Sequence, residues 1–222
     1  MHADRLPFHP RAVLFDLDGT LVDSEREIME ILTAELAARG RPLSEQERHF
    51  VIGHGWSEIY EFLRAHGPLP LSQQELEEVV YLVRQDRIER NGARELPGAA
   101  ATVRRISQRL PCALVTGSSR AEAEMVLGAL GIAGCFRALC CAGEYARGKP
   151  APDPYLLAAQ RLGVQPELCL AIEDAAAGIA AARAAGMYCI AVRAGNFAGQ
   201  DQSGAHLQVA TLEEVDALLD GG

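Results

Sequence analysis

The run Ala12-Val13-Leu14-Phe15 offers no polar side chain to either face of a strand, and it leads directly into Asp16-Leu17-Asp18-Gly19-Thr20. A strand that is apolar on both faces must be covered on both, which is the condition of a parallel strand in a layered α/β sheet. Ligands of such sheets bind beyond the carboxyl ends of the strands. Side chains two apart on a strand share a face, so Asp16 and Asp18 address one reaction centre if the extended geometry persists to Asp18. Gly19 permits a sharp turn there, and Thr20 brings a hydroxyl to the same spot. Two carboxylates this close repel each other unless a cation or a shared proton intervenes, and a magnesium ion answers that need.

The arrangement recurs along the chain. Cys112-Ala113-Leu114-Val115 precedes Thr116-Gly117-Ser118-Ser119, a strand-like stretch at 138–141 precedes Gly148-Lys149-Pro150, and Cys169-Leu170-Ala171-Ile172 precedes Glu173-Asp174. From residue 97 onward, short apolar runs alternate with helical patterns, which implies βα units and a mostly parallel sheet. Pro97 suits a helix's first position, Asp153-Pro154 reads as an N-cap followed by a first-turn proline, and Ser119-x-x-Glu122 and Thr211-x-x-Glu214 open further helices. The alanine-rich residues 175–185, interrupted by Gly178 and Ile179, read as a helix packed close to the sheet.

Residues 22–93 differ, with amphipathic helical patterns and no strand pattern. Ser24-x-x-Glu27, Ser44-x-x-Glu47 and Ser72-x-x-Glu75 each fit a capping box, in which serine and glutamate satisfy open amides of the first turn. Ile28, Ile31, Leu32 and Leu36 form the apolar stripe of the first helix, and Val79, Val80, Leu82 and Val83 that of the last. Gly67-Pro68-Leu69-Pro70 breaks the chain between the third and fourth helices.

With 21 Lys plus Arg against 30 Asp plus Glu, the net charge of −9 argues against a non-specific nucleic-acid binder. No apolar run approaches the length of a membrane span, and Met1-His2-Ala3-Asp4-Arg5 lacks the apolar core of a signal peptide. The expectation is a cytoplasmic protein. The six cysteines show no C-x-x-C spacing, and Cys112, Cys140, Cys169 and Cys189 lie in or beside apolar runs. Buried, reduced thiols are expected, and Cys140-Cys141 as a metal pair lacks a third soft ligand nearby in sequence.

The four motifs at Asp16-x-Asp18-Gly19-Thr20, Thr116-Gly117-Ser118, Lys149-Pro150 and Glu173-Asp174, in this order, resemble those of the haloacid dehalogenase-like phosphohydrolases. The resemblance implies an α/β fold: a Rossmann-like parallel-sheet core built from residues 1–20 and 94–222, with an inserted α-helical cap domain over 21–93 that closes over the active site. It implies that Asp16 attacks phosphorus and forms an aspartyl-phosphate. Asp18 would protonate the leaving alcohol and then take a proton from water, which requires a raised pKa, and the neighbouring Asp16 pushes that way. The implied cofactor is Mg2+, held by the carboxylates of Asp16 and Asp174 and the backbone carbonyl of Asp18, with Glu173 as a further acidic ligand or ligand-holder. Without the first motif, Glu173-Asp174 reads instead as a pair of solvated loop acids or a helix N-cap. Thr116 and the amides of Gly117 and Ser118 would hold phosphoryl oxygens, Ser118 would add a hydroxyl, and Ser119 would cap the next helix. Lys149 would neutralise the remaining phosphoryl charge, its backbone restricted to extended geometry by Pro150.

Specificity falls to the cap, where Phe50-Val51-Ile52-Gly53-His54-Gly55-Trp56-Ser57 is the candidate substrate-facing loop, with His54 presented to substrate. The competing reading has Trp56 anchoring the cap's own core and His54 solvated. Glu25 and Arg120 each fit both a substrate contact and an exposed helix position. Within the family the chain resembles the β-phosphoglucomutase and sugar-phosphate phosphatase branch in its Lys149 and Glu173-Asp174 segments, and phosphoglycolate phosphatases in its Gly53-x-Gly55 turn. Ile28 stands where the mutase has an assisting histidine, and Glu58 where it has a basic residue. The expected activity is therefore hydrolysis of a small phosphorylated metabolite, a sugar phosphate or a phosphoglycolate-like compound. Mutase-type phosphoryl transfer is the alternative, and a phosphate-receiving signalling domain and an inert binding protein are more distant ones. The expected partner is a small phosphomonoester, with neither nucleic acid nor membrane, and the chain is expected to be a monomer or a weak homo-oligomer.

Overall fold

Each of the apolar runs forms a strand. In the computed structural model, which describes residues 6–197 and 199–220, they are β1 (Ala12–Phe15), β2 (Cys112–Val115), β3 (Phe136–Cys140) and β4 (Cys169–Glu173). Two further strands, β5 (Tyr188–Val192) and β6 (Leu207–Val209), complete a six-stranded sheet in the order β3-β2-β1-β4-β5-β6. All neighbouring strands are parallel, and Leu14 of β1 stands between Ala113 of β2 and Ala171 of β4. This order reverses at β1, so the connections leaving β1 and β4 diverge and open a crevice at the carboxyl ends of those two strands. The residues read for a leader, 1–5, lie outside the described residues.

The chain divides into two compact units, Met1–Val22 with Glu95–Gly222, and Asp23–Arg94. The second is helical: α1 (Ser24–Ala38), α2 (Glu45–Val51), α3 (Trp56–Ala65) and α4 (Gln73–Asn91). Its core is Ile31, Leu32, Leu36, Leu43, Val51, Ile59, Leu63, Leu76 and Val80, with Trp56 partly buried against it. Ser44 and Ser72 form the expected capping boxes with Glu47 and Glu75. Ser24 does not. It is the first residue of α1 rather than its cap, its hydroxyl finds no partner among the described residues, and Glu27 turns instead to Arg84 at 3.0 Å. The stripe of α4 also differs from expectation. Leu82 is exposed, and the buried positions are Leu76, Val80, Arg84 and Ile88, spaced by four.

In the first unit the helices are α5 (Ala99–Ser107), α6 (Arg120–Ala129), α7 (Asp153–Leu162), α8 (Ala176–Ala184) and α9 (Leu212–Asp220). α7 and α8 cover one face of the sheet through an unusually small-residue core, in which Ala158, Ala159, Ala181 and Ala182 meet Ala12, Leu14, Ala113 and Ala171. Short side chains let helix and sheet backbones approach closely, as expected for the segment around Gly178. Pro97 sits in the turn before α5 rather than at its first position, because Gly98 caps the helix in a left-handed conformation with φ 72°. Asp153 is likewise inside α7 rather than its cap, and its carboxylate pairs with Arg147 at 2.9 Å. All six cysteines are free, and Cys112, Cys140, Cys141, Cys169 and Cys189 are buried. Among the described residues, no helix is long and apolar enough to cross a membrane.

Candidate active site

β1 delivers Asp16 at the point where the strand stops. Its amide still follows the sheet, donating to Ile172 of β4 at 3.0 Å, but Leu17 leaves the ladder and its carbonyl collects the amides of Thr20, Leu21 and Val22. That turn requires φ 81° at Gly19, a left-handed conformation open to glycine at little cost. Room is equally limiting. A Cβ on Gly19 would lie 2.2 Å from an Asp174 carboxylate oxygen, so the bare Gly19 lets the Asp174 carboxylate lie against the turn after β1. Thr20 then donates its hydroxyl to Asp174 Oδ1 at 3.0 Å.

The carboxylates of Asp16, Glu173 and Asp174 are all buried, and each offers an oxygen within 4.8 Å of the others. One cation of the chain stands among them. Lys149 Nζ donates to Asp16 Oδ1 at 2.5 Å, to Glu173 Oε1 at 2.6 Å and to the carbonyl of Val115 at 3.0 Å, which uses all three ammonium protons. The Lys149–Pro150 peptide is cis. Burial pushes the Asp16 carboxyl above its ordinary pKa; Lys149 opposes that, and Glu173 and Asp18 push the same way as burial. Burial disfavours the Lys149 ammonium, but Asp16 and Glu173 outweigh it and hold its pKa above the ordinary lysine value. The lysine therefore stays charged at any working pH.

Asp18 faces β2. Its Oδ2 accepts the hydroxyls of Ser118 at 2.7 Å and Thr116 at 3.2 Å. The Thr116 hydroxyl in turn accepts the Ser118 amide at 2.9 Å, and Gly117 is exposed with open space around its α-carbon. Ser119 forms the expected capping box with Glu122 at the start of α6. Asp16, Asp18, Thr116, Gly117, Ser118, Lys149, Glu173 and Asp174 thus all belong to the sheet unit and to the carboxyl-terminal side of β1, β2 and β4, or to the loop that returns Lys149 to Asp16.

His54 belongs to the helical unit. It is exposed, its Nδ1 lies 2.7 Å from the carbonyl of Phe50, and its ring stacks on that of Phe50 at 3.9 Å. The expected eight-residue loop is shorter than the sequence suggested, since Phe50 and Val51 end α2 and Trp56 begins α3. Arg120 is engaged by Glu144 and Glu124.

Two tyrosines were not anticipated. The fully buried Tyr155 of α7 donates to Glu173 Oε1 at 2.7 Å, and Tyr145 donates to the carbonyl of Thr116 at 2.9 Å. Tyr155 falls two residues after Asp153, in the first turn of α7, a position the sequence marks only by its prolines.

The sheet reverses order at β1, an aspartate pair leaves that strand and a lysine reaches back to it, which sets carboxylates and a fixed cation at the carboxyl ends of parallel strands, where ligands of α/β sheets bind. Residues 10–186 match the family described as haloacid dehalogenase-like hydrolase, and the chain belongs to that family. It is 37% identical over 186 residues to the fructose-1-phosphate phosphatase YqaB of Escherichia coli (strain K12), covering 82% of this chain and 95% of that protein. It is also 32% identical over 210 residues to a bifunctional riboflavin kinase/FMN phosphatase of Arabidopsis thaliana; that match takes in 94% of this chain but spans only about half, 53%, of the plant protein. The crystal structure of CbbY from Rhodobacter sphaeroides in complex with phosphate superposes with a TM-score of 0.80 at 26% identity, covering 95% of this chain and 99% of that one. The chain is a phosphatase of this family.

Proposed function

We propose that this phosphatase hydrolyses a small phosphorylated metabolite, a sugar phosphate or a phosphoglycolate-like compound, through an aspartyl-phosphate on Asp16. The observation that carries the proposal is the Lys149 ammonium set between Asp16 and Glu173 beside the hydroxyl-bonded Asp18. A nucleophilic carboxylate must be ionised, and burial alone disfavours that. Lys149 supplies the opposing charge, and it would balance the phosphoryl oxygens as well.

In the first half-reaction an Asp16 oxygen bonds to phosphorus while the bond to the leaving oxygen breaks, and Asp18 delivers a proton to that oxygen. In the second, water attacks phosphorus, Asp18 takes its proton, and the acyl-phosphate bond breaks to release phosphate and regenerate the Asp16 carboxylate. Thr116 and Ser118, whose hydroxyls meet at Asp18 Oδ2, orient that carboxyl and stand ready to bind phosphoryl oxygens. The buried carboxylate oxygens of Asp16 and Asp174 fit a hard divalent cation, to which the resemblance adds the backbone carbonyl of Asp18, and Mg2+ there would offset phosphoryl charge. Glu173 is better placed to hold Lys149 than to ligate, since Lys149 and Tyr155 share its Oε1 and the Asp174 amide lies 3.2 Å from its Oε2.

YqaB is by name a fructose-1-phosphate phosphatase, which supports a small sugar phosphate as substrate. The test is phosphate release from a panel of fructose 1-phosphate, hexose 6-phosphates, polyol phosphates, 2-phosphoglycolate and β-glucose 1-phosphate, with magnesium and with excess EDTA. Release with magnesium alone is expected, and Asp16→Asn is expected to abolish it with the fold intact by circular dichroism. Conversion of β-glucose 1-phosphate to glucose 6-phosphate without release would replace hydrolysis by the mutase reaction, and wild-type turnover by Asp16→Asn would remove Asp16 as nucleophile.

A further inference from the structure

Asp174 is the first residue after β4, and it is held from two directions. On the carboxylate side stand Gly19 and Thr20, as described above. On the backbone side its carbonyl oxygen accepts Gln202 Nε2 at 2.7 Å, and the same amide donates to the carbonyl of Val192, the last residue of β5, at 3.0 Å. Gln202 lies in the segment between β5 and β6, 28 residues from Asp174, and is only 5% exposed. The two hydrogens of a side-chain amide diverge at a fixed angle in one plane, so two carbonyl acceptors fix its orientation. It thereby ties the end of β4 to the end of β5.

Asn196, Gln200 and Gly195 of this segment serve the same corner. Gln200 Oε1 accepts the amide of Ala176, the first residue of α8, at 3.1 Å, and Asn196 braces Gln200 through both its backbone groups at 2.7 and 2.8 Å. Gly195 packs on the turn after β1 so closely that a Cβ there would lie 1.7 Å from the Gly19 carbonyl oxygen. A single stretch after β5 therefore supports the Asp174 peptide directly and the Asp174 carboxylate through Gly19.

We propose that Gln202 is a positioning residue of the cation site, fixing the Asp174 peptide so that its carboxylate stays beside those of Asp16 and Glu173. This rests on the reading of Asp174 as a cation ligand. A buried glutamine that merely satisfied two carbonyls would affect stability alone. One that positions Asp174 affects cation affinity separately from stability.

The test is manganese(II) binding to the full chain, followed by the electron paramagnetic resonance signal of the free ion, with magnesium as competitor. Gln202→Met keeps the length and shape of the side chain but donates nothing. Loss of one buried hydrogen bond that holds a ligand predicts about five- to tenfold weaker manganese binding. Phosphate release should fall at limiting magnesium and recover toward wild type at saturating magnesium. Gln202→Asn, which keeps the amide but is too short to reach both carbonyls, carries the same measurement if Gln202→Met does not fold, and should shift affinity in the same direction. Manganese affinity within twofold of wild type in the folded variant overturns the inference and leaves the cation site standing. Absence of manganese binding in the unsubstituted chain, or binding unaffected by Asp174→Asn, overturns the cation reading itself and this inference with it.

Discussion

Tyr155 and Lys149 meet at one atom, Glu173 Oε1, the phenol at 2.7 Å and the ammonium at 2.6 Å. Burial first, and then the charges of Glu173 and Asp16, push the Tyr155 phenol well above its ordinary pKa, so it remains a donor throughout the working pH range. Its hydroxyl fixes Glu173, and Glu173 fixes the lysine that faces Asp16. Tyr155→Phe keeps the ring, over which Lys149 Nζ lies 5.3 Å from the centroid, and removes only the hydroxyl. The expected outcome is a three- to tenfold fall in kcat, roughly one hydrogen bond's worth, with KM little changed. Steady-state kinetics on the best substrate of the panel checks it, and an unchanged kcat would show that Lys149 needs no support from this phenol.

Gly178 provides the room for that carboxylate. It lies in α8, where replacing glycine by alanine ordinarily gains up to about 1 kcal/mol from helix propensity. Here a Cβ would lie 1.9 Å from Glu173 Oε1, and that carboxylate is pinned by Lys149 and Tyr155 and has nowhere to retreat. Gly178→Ala should therefore destabilise the protein by about 2 kcal/mol or more, or expel Glu173 and lower turnover. Gly128 of α6 is the control: a Cβ there meets nothing within 4 Å, and Gly128→Ala should stabilise by roughly 0.5–1 kcal/mol. Opposite signs in paired denaturant melts are the expected result.

The parts of this architecture that repeat a local chemical pattern were legible in the sequence. β1, β2 and β4 showed as apolar runs because burial on both faces leaves no choice of composition, whereas β3, with Arg137 exposed, showed only in part. β6 was not legible: it is a three-residue edge strand, Leu207–Val209, whose middle residue Gln208 is exposed, so it carries no such constraint. Asp16, Asp18, Lys149 and the Glu173-Asp174 pair were legible from residue type at strand ends. Tyr155 and Gln202 were not, because their roles arise from packing around the sheet at sequence separations of 18 and 28, and no spacing rule connects them to their partners. Ser24-x-x-Glu27 failed for a related reason. It has the letters of a capping box, but Arg84, from α4, offers Glu27 a stronger partner than the backbone amide.

Acid should loosen the helical unit through Glu47. Its hydrogen bond from Arg41, opposed by its own burial and reinforced by the Ser44 amide, holds its carboxyl down at about 2. A carboxyl with a folded pKa below its unfolded value contributes stability that is complete above the unfolded value and disappears as pH falls through the folded one. The contribution of Glu47 is therefore full above about pH 4.5 and lost progressively towards pH 2. In Glu47→Gln this part of the acid dependence should vanish, with a loss at neutral pH of about 1–2 kcal/mol from the capping box and the Arg41 contact. Thermal melts of both proteins between pH 2 and 7 separate the two.

Arg84 occupies the third place in a stripe whose other members are Leu76, Val80 and Ile88, and it is as buried as they are. An arginine in that position depends on Glu27, 3.0 Å away on α1 and itself buried. Two charges withdrawn from water recover much of their hydration loss through each other, so removing one partner is more damaging than removing both. Arg84→Met should leave the Glu27 carboxylate buried without its counter-ion and cost about 3–5 kcal/mol. Glu27→Leu alone should cost a comparable amount. The double variant, with two apolar side chains of similar size completing the stripe, should recover most of the loss, and a coupling energy near zero in the resulting double-mutant cycle would show that the pair is not held together by charge. Because the pair lies wholly within Asp23–Arg94, its loss is expected to appear first as increased amide exchange in α1 and α4, with protection in β1 and β4 retained.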